Sequence, residues 1–288
     1  MPSLKDIKRR IKSVKNTQQI TKAMKMVSAA KLKRAQDEIT AARPYAEKML
    51  SLITSLASKT SPESHPLLAP REEVSTIGVI LMTSDRGLCG GFNTQMLRTA
   101  ERFLREKEDV DKSLYLIGKR AGEHFKKRQF KILLSRNIGS GRPGYADAVK
   151  IAEDVITAYL NCELDEVYII YSAFKSALTQ TPVVQKLLPI APPKGEEEEG
   201  EEQVEFIFEP SKEAVLADLL PKYVEVQAFR ALLETSASEH GARMTSMDSA
   251  SKNASSMIGG LTLQYNRLRQ AAITKELMEI IGGAEALK

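Results

Sequence analysis

The stretch from Ser3 to about Lys59 constrains the fold most strongly, because it contains one proline, Pro44, and no glycine. Uncharged side chains, most of them apolar, recur in it at alternating steps of three and four, at Leu4, Ile7, Ile11, Val14, Gln18 and Thr21. The same line continues less regularly through Met24, Val27, Leu32 and Ile39, beside small residues at 28–30. This period predicts one long amphipathic helix, with any bend near Pro44. So narrow an apolar seam is typical of a coiled coil.

The partner helix is predicted at the other end of the chain. Pro221 should end a short helix begun near Ser211, and a helical pattern then runs from Lys222 towards Ile281. Its expected seam is Tyr223, Val226, Phe229, Leu233, Met244, Met247, Ala254, Met257, Leu261, Tyr265, Leu268 and Ala272. Met24, Met26, Met244, Met247 and Met257 are expected to fill the seam. The Gly259–Gly260 pair costs about 1 kcal/mol per glycine, which a packed helix tolerates.

Between the two helices, short β-branched runs alternate with helical segments. Strands are predicted at 75–84, 113–119, 131–135, 166–172 and 182–190, and helices at 93–107, 121–128 and 145–160. Alternation of this kind predicts a mostly parallel, doubly wound, Rossmann-like α/β domain. An acidic loop at 191–202 and a last edge strand at 203–210 should follow. The expected domains are therefore an N-terminal coiled-coil helix (1–60), a central α/β domain (74–208) and a C-terminal coiled-coil helix (211–288).

All the excess positive charge lies in the first segment. Residues 1–59 carry 14 Lys and Arg against 4 Asp and Glu. Such a basic arm suits nucleic acid, anionic lipid or an acidic protein surface, and charge alone leaves these open. The arm has no aromatic residue before Tyr45 for stacking on bases, which weakens the nucleic-acid alternative. Cys89 and Cys162 stand far apart, and no apolar run approaches a membrane span of roughly 20 residues, so a cytoplasmic protein is expected.

The stretch GSGRPG at 139–144 matches the dinucleotide-binding pattern G-x-G-x-x-G and lies between a predicted strand and a predicted helix. It follows about the third strand rather than the first. The next strand ends at Ser172 without the acidic residue that a ribose hydroxyl requires. Pro143 also has no N–H to offer a phosphate. A plain strand-to-helix turn is therefore favoured over a dinucleotide site.

A second glycine-rich turn, SDRGLCGGFN at 84–93, could surround an anion with backbone amides, or could simply be a tight turn. The chain contains no G-x-x-x-x-G-K-[ST] sequence, so it should not hydrolyse ATP by itself. His65, His124 and His240 fall in three different segments and have no metal-ligand spacing. No cofactor, metal site or catalytic residue is predicted.

Three stretches taken together are specific to one family: LKDIKRRIKSVKNTQQITKAMKMVSAAKLKRAQ (4–36), TSDRGLCGGFN (83–93) and NRLRQAAITKELMEIIGGAEAL (266–287). They closely resemble the gamma subunit of F-type ATP synthase, and the order and length of the segments agree over essentially the whole chain. The resemblance implies a rotor rather than an enzyme. In that family the coiled coil stands inside a ring of alpha and beta subunits. The α/β domain is a foot that docks the epsilon subunit and the membrane ring of c subunits.

The resemblance also implies where the chain works. Proton flow turns the c ring and the shaft, and the shaft imposes different conformations on the three beta subunits that make or hydrolyse ATP. Because no transit peptide precedes the first helix, a bacterial chain is expected, peripheral to the cytoplasmic face of the plasma membrane. The cysteine pair that gives the chloroplast form its thiol control is missing.

Individual positions follow by motif match to the family. Met24 and Lys25 correspond to the part of the shaft that faces an acidic loop of beta. Arg269 and Gln270 match residues that hydrogen-bond to a beta loop in one rotational state, and Arg243 matches a coupling position. The stretch 273–281, with Thr274 and Glu276, matches the tip that turns in an apolar bearing formed by alpha and beta.

Overall fold

A computed structural model describes residues 3–57, 65–138, 142–190 and 211–285. The elements in chain order are α1 (Leu4–Ala57), β1 (Thr76–Met82), α2 (Phe92–Glu106), β2 (Asp111–Ile117), α3 (Lys119–Phe125), β3 (Lys131–Arg136), α4 (Tyr145–Leu160), β4 (Glu166–Phe174), β5 (Gln180–Leu188) and α5 (Lys212–Glu285). The predicted acidic loop and the strand at 203–210 lie outside the described residues. The fold class is as predicted: long terminal helices that pair antiparallel, and an α/β domain between them.

The α/β domain has a five-stranded sheet of order β3-β2-β1-β4-β5, parallel except for β5. The residues of β1 alternate between the two faces. Ile77, Val79 and Leu81 pack with buried residues of α2 and α3. Ile80 and Met82 pack instead with α4 and with residues of α1 and α5. Helices on both faces make the sheet doubly wound, and β5 pairs antiparallel to β4 because only a short turn joins them.

The chain divides into two compact units, one of residues 1–29 and 243–288, the other of residues 30–242. Within the second unit, α1 residues between 39 and 50 line a cavity with α5 residues between 226 and 234. Met49, Ile53 and Leu56 share a core with the earlier α5 residues Leu216 and Leu220. The two helices therefore run antiparallel in this unit.

Helix α5 corrects the prediction of a break at Pro221, since it continues through that proline from Lys212 to Glu285. A proline inside a helix removes one backbone hydrogen bond and costs about 3 kcal/mol. Leu220 and Val224, on either side, are fully buried in the core beneath the sheet. Packing of these side chains offsets the cost of the proline. The prediction of a break considered helix propensity alone and did not include this packing.

Candidate functional site

The seam of α1 follows a strict seven-residue repeat. Every position reached by alternating steps of three and four from Leu4 to Leu56 is buried or half-buried. This regularity corrects part of the expected seam, because Lys25 and Ser28 occupy the line where Met24 and Val27 were expected. Val27 is 58% exposed, whereas Ser28 is buried and Met24 is half-buried. A period shorter than 3.6 residues per turn is the pattern of a left-handed coiled coil.

The matching seam of α5 keeps the same period. Its buried or half-buried positions in the first unit are Met244, Met247, Ser251, Ala254, Ile258, Leu261, Tyr265, Leu268 and Ala272, so the prediction for Met244 holds. The prediction for Met247 is confirmed, whereas Met257 is 57% exposed and Ile258 takes its place. Met26, also expected in the seam, is 64% exposed. These methionines were misassigned because their apolar character was weighed more heavily than the strict repeat.

Lys25, one of the predicted interface residues, is bound within the molecule. Its Nζ donates to Asp248 Oδ1 at 2.5 Å, and Lys252 Nζ lies 2.8 Å from the other carboxylate oxygen, Oδ2. The hydrogen bond from Lys25, followed by that from Lys252, lowers the pKa of Asp248 to about 2. The same carboxylate raises the pKa of Lys252. The three groups together carry one net positive charge.

Sequence reasoning named Lys25 but missed Asp248. The available signal was a lysine on the seam line of α1, where every other position is uncharged. A charged residue at such a position needs a partner of opposite charge on the facing helix.

The other predicted residues on α5 are spread along the helix rather than gathered into a pocket. Arg243 is buried, only five residues before Asp248. Arg269, Gln270, Thr274 and Glu276 are all exposed, about 30 Å or more farther along at 1.5 Å per residue. Thr274 Oγ1 donates to the main-chain carbonyl of Gln270 at 3.0 Å, which is a bond within the helix. This arrangement suits contact with large partners, and it is not that of an active site.

Large apolar side chains outside the seam are exposed on the first unit. On α1 they are Ile20, Met26 and Val27. On α5 they are Met257, Leu263, Ile273, Leu277, Met278, Ile280 and Ile281. Exposure of so many apolar side chains on a helical pair is a mark of a surface that other proteins cover.

The glycine-rich turn after β1, residues 84–93, is stabilised by hydrogen bonds made by its own residues. The backbone N–H and the hydroxyl of Ser84 both donate to Asn93 Oδ1, at 3.1 and 2.9 Å. Asp85 Oδ1 accepts from the backbone N–H of Lys119 at 2.8 Å. Leu88 and Gly90 have positive φ angles of 63° and 57°. These bonds support the tight-turn interpretation of 84–93 rather than an anion cradle.

The GSGRPG stretch lies partly outside the described residues, at 139–141. Of the remainder, Arg142 Nε forms an ion pair with Glu38 Oε1 of α1 at 2.7 Å. Gly144 is the N-cap residue of α4, and its backbone N–H donates to Asp147 Oδ2 at 3.1 Å. Among the described residues, no group of three or more His, Cys, Asp or Glu side chains is arranged to hold a metal ion.

Comparison with known proteins decides the family. A family model described as ATP synthase matches residues 3–287. The ATP synthase gamma chain of Geotalea daltonii is 53% identical over 292 residues, and the alignment covers all of both chains. This chain belongs to the ATP synthase gamma chain family. The gamma chain of Geobacter metallireducens is 54% identical over 293 residues, again covering all of both chains.

Solved structures agree with this family. The central stalk and c-ring structure of the Tetrahymena thermophila mitochondrial ATP synthase contains a chain with 26% identity and a TM-score of 0.60. That match covers 81% of this chain and 99% of the other. A chain of the Euglena gracilis mitochondrial ATP synthase shares the fold at 21% identity, with a TM-score of 0.70, over 99% of this chain and 94% of the other. As a gamma chain, this protein is a non-catalytic subunit of ATP synthase.

Proposed function

We propose that this gamma chain couples proton translocation through the membrane sector to ATP synthesis and hydrolysis at three beta subunits. In this proposal, residues 1–60 and 211–288 form the shaft inside a ring of alpha and beta subunits. The α/β domain, residues 74–208, is the foot that docks epsilon and the c ring. The complex holds the chain at the cytoplasmic face of a bacterial plasma membrane. No helix among the described residues is both long and apolar enough to cross a membrane.

One observation carries this proposal. The paired helices of the first unit bury a narrow seam and leave large apolar side chains uncovered outside it, among them Leu263 at 73% exposure. Exposed apolar side chains are unfavourable in water. A large set of them on the outer surface of the paired helices is therefore expected where other subunits enclose a shaft. Apolar contacts are also non-directional, so they let the shaft turn past its neighbours without binding one position tightly.

We assign the contacts with beta as follows. Met24 and Lys25 face an acidic loop of beta, and Arg269 and Gln270 bind a second loop in one rotational state. Arg243 is a coupling position, and the tip with Thr274 and Glu276 turns in the bearing formed by alpha and beta. The exposed side chains of Arg269 and Gln270 support direct contact. Arg243 is buried, which favours an indirect role through packing of the shaft.

Met24→Lys tests the first contact. Asp248 is already engaged by two lysines, so an ammonium group at position 24 would remain unneutralised within this cluster and would hold an acidic loop of beta too tightly. We expect the complex to assemble and hydrolyse ATP while proton-driven ATP synthesis falls several-fold. Ala23→Lys, at the exposed neighbouring position outside that apolar surface, is the matched control. Normal synthesis by the Met24 variant, or an equal loss in the control, would count against the assignment.

Arg269→Ala tests the second contact. Loss of a hydrogen bond made by a charged group costs about 1.5–3 kcal/mol, or roughly tenfold to a hundredfold in rate where the bond forms only in the rate-limiting state. ATPase activity of alpha, beta and gamma co-expressed should fall accordingly. Arg267→Ala, which removes an exposed arginine two residues away, should leave activity nearly unchanged. Equal effects of the two substitutions would contradict a specific role for Arg269.

A further inference from the structure

The seam of α1 changes character near its middle. Four consecutive seam positions, Gln18, Thr21, Lys25 and Ser28, are polar, whereas Leu4, Ile7, Ile11 and Val14 before them are apolar. The hydroxyl of Thr21 donates to the carbonyl of Gln18 in its own helix at 3.0 Å. It therefore does not hold the other helix in place through that bond.

The part of α5 that faces Gln18 to Ser28 has few large side chains that could pack between the side chains of α1. Its seam positions around Asp248 are Met244, Met247, Ser251 and Ala254, of which two are small and two are unbranched, adaptable side chains. Large branched side chains set the axial register of a coiled coil because each fits one space on the partner. In this section such side chains are missing from both helices.

The Lys25–Asp248 pair supplies a direct polar link between the two helices in this section. It joins the two helices at 2.5 Å, at the only charged seam position between Leu4 and Leu56. The side chains are 44% and 31% exposed, and a partly exposed pair adds little to stability. A single polar pair in a seam can nevertheless favour one register, because a slipped arrangement separates Lys25 from Asp248 and leaves that carboxylate with only Lys252 of its own helix.

We infer that Asp248 is a positioning residue that, by binding Lys25 across the coiled coil, fixes the axial register of α1 against α5 beside Met24. A slip by one helical turn would move Lys25 by about 5.4 Å along α5, out of reach of the carboxylate. The position of Met24 relative to α5 would change by the same step. The link from register to coupling rests on the function proposed above, whereas the register itself does not.

Distance measurements between spin labels test the register directly. Labels attached at Thr17→Cys and Ser256→Cys, both exposed, report the alignment of the two helices in the full-length chain. The parent should also carry Cys162→Ser, because Cys162 is exposed and would be labelled, whereas Cys89 is buried. Asp248→Asn keeps the side-chain shape and removes the charge. Lys252→Gln removes only the partner on the same helix and is the matched control.

The parent and Lys252→Gln should give one narrow distance distribution. Asp248→Asn should broaden or shift it by up to about 5 Å, the length of one turn. Exchanging the charges, with Lys25→Asp and Asp248→Lys in a Lys252→Gln background, should restore the narrow distribution. An unchanged distribution in Asp248→Asn would overturn the inference. So would equal broadening in Lys252→Gln, or unfolding of Asp248→Asn, followed by circular dichroism, that the exchange does not rescue.

Measurements of ATP synthesis with the same variants in the assembled complex test the effect of the register on coupling separately from the register itself. We expect proton-driven ATP synthesis to fall several-fold in Asp248→Asn and to recover with the exchanged pair. A shifted distance with normal synthesis would uphold the register assignment, and would contradict the proposed coupling role of the Met24 region instead.

Discussion

At the scale of single residues, the carboxylate of Asp248 makes the pairing of α1 with α5 sensitive to acid. Its pKa is lowered from 3.8 to about 2 by Lys25 and Lys252. A depressed folded-state pKa stabilises the fold above the unfolded value, and this stabilisation is lost as the pH falls through the folded value. The stabilisation is therefore complete above about pH 4 and disappears towards pH 2.

The corresponding prediction compares the unsubstituted chain with Asp248→Asn. The difference between their melting temperatures should be small, because the Lys25–Asp248 pair is partly exposed, and constant from pH 7 to about pH 5. It should shrink below pH 4 and vanish near pH 2, because the asparagine does not titrate. Thermal unfolding followed by circular dichroism over this range measures it. A difference that stays constant down to pH 2 would show that Asp248 carries no charge-dependent interaction.

Single residues also show where sequence reasoning stops. The heptad positions from Leu4 to Thr21 were predictable because helical periodicity depends only on spacing. Asp248 was not, since its relation to Lys25 depends on the register of two segments more than 200 residues apart. Val27 and Met257 were wrong for a related reason: an apolar side chain was taken as evidence of burial, although a surface that binds partners leaves such side chains exposed.

At the scale of elements, the strand and helix order of the α/β domain followed from β-branched runs and turns, and the sheet order of β1 to β4 agrees with a parallel, doubly wound arrangement. The continuity of α5 through Pro221 did not follow, because tertiary packing at Leu220 and Val224 overrides the local break. Helix propensity predicts helix ends poorly where the residues on both sides of a proline are buried in a core.

Two glycines of α5 give different predictions for substitution by alanine. A Cβ at Gly260 would meet nothing within 4 Å, whereas one at Gly241 would lie 3.3 Å from the Ala177 backbone. Gly260→Ala should therefore stabilise α5 by up to about 1 kcal/mol through helix propensity alone. Gly241→Ala should lose this gain, because the helix and the turn between β4 and β5 must separate slightly.

Thermal or urea unfolding of the two single variants measures the contrast. The Gly260 variant should unfold at a higher temperature than the parent, and the Gly241 variant at a lower one than the Gly260 variant. Equal stabilisation by both substitutions would show that the contact at Ala177 is not tight. A loss in the Gly260 variant would show that this part of α5 needs the glycine for another reason.

At the scale of the whole molecule, each unit has a feature that a rotor needs. In residues 30–242, a core shared by the sheet, α1 and α5 fixes the α/β domain to both long helices. In residues 1–29 and 243–288, the paired helices leave an apolar outer surface for surrounding subunits. Rotation requires torque applied to residues 30–242 to reach residues 1–29 and 243–288, and α1 and α5 each continue from one unit into the other.

Direct observation of rotation tests this most closely. The exposed Cys162, which follows α4, offers a natural attachment point on the α/β domain. A bead can be linked there while alpha and beta subunits are fixed to a surface and supplied with ATP. We predict continuous rotation of the bead in one direction, stopping when ATP is exhausted. A bead that stays still while the same complexes hydrolyse ATP would contradict the account.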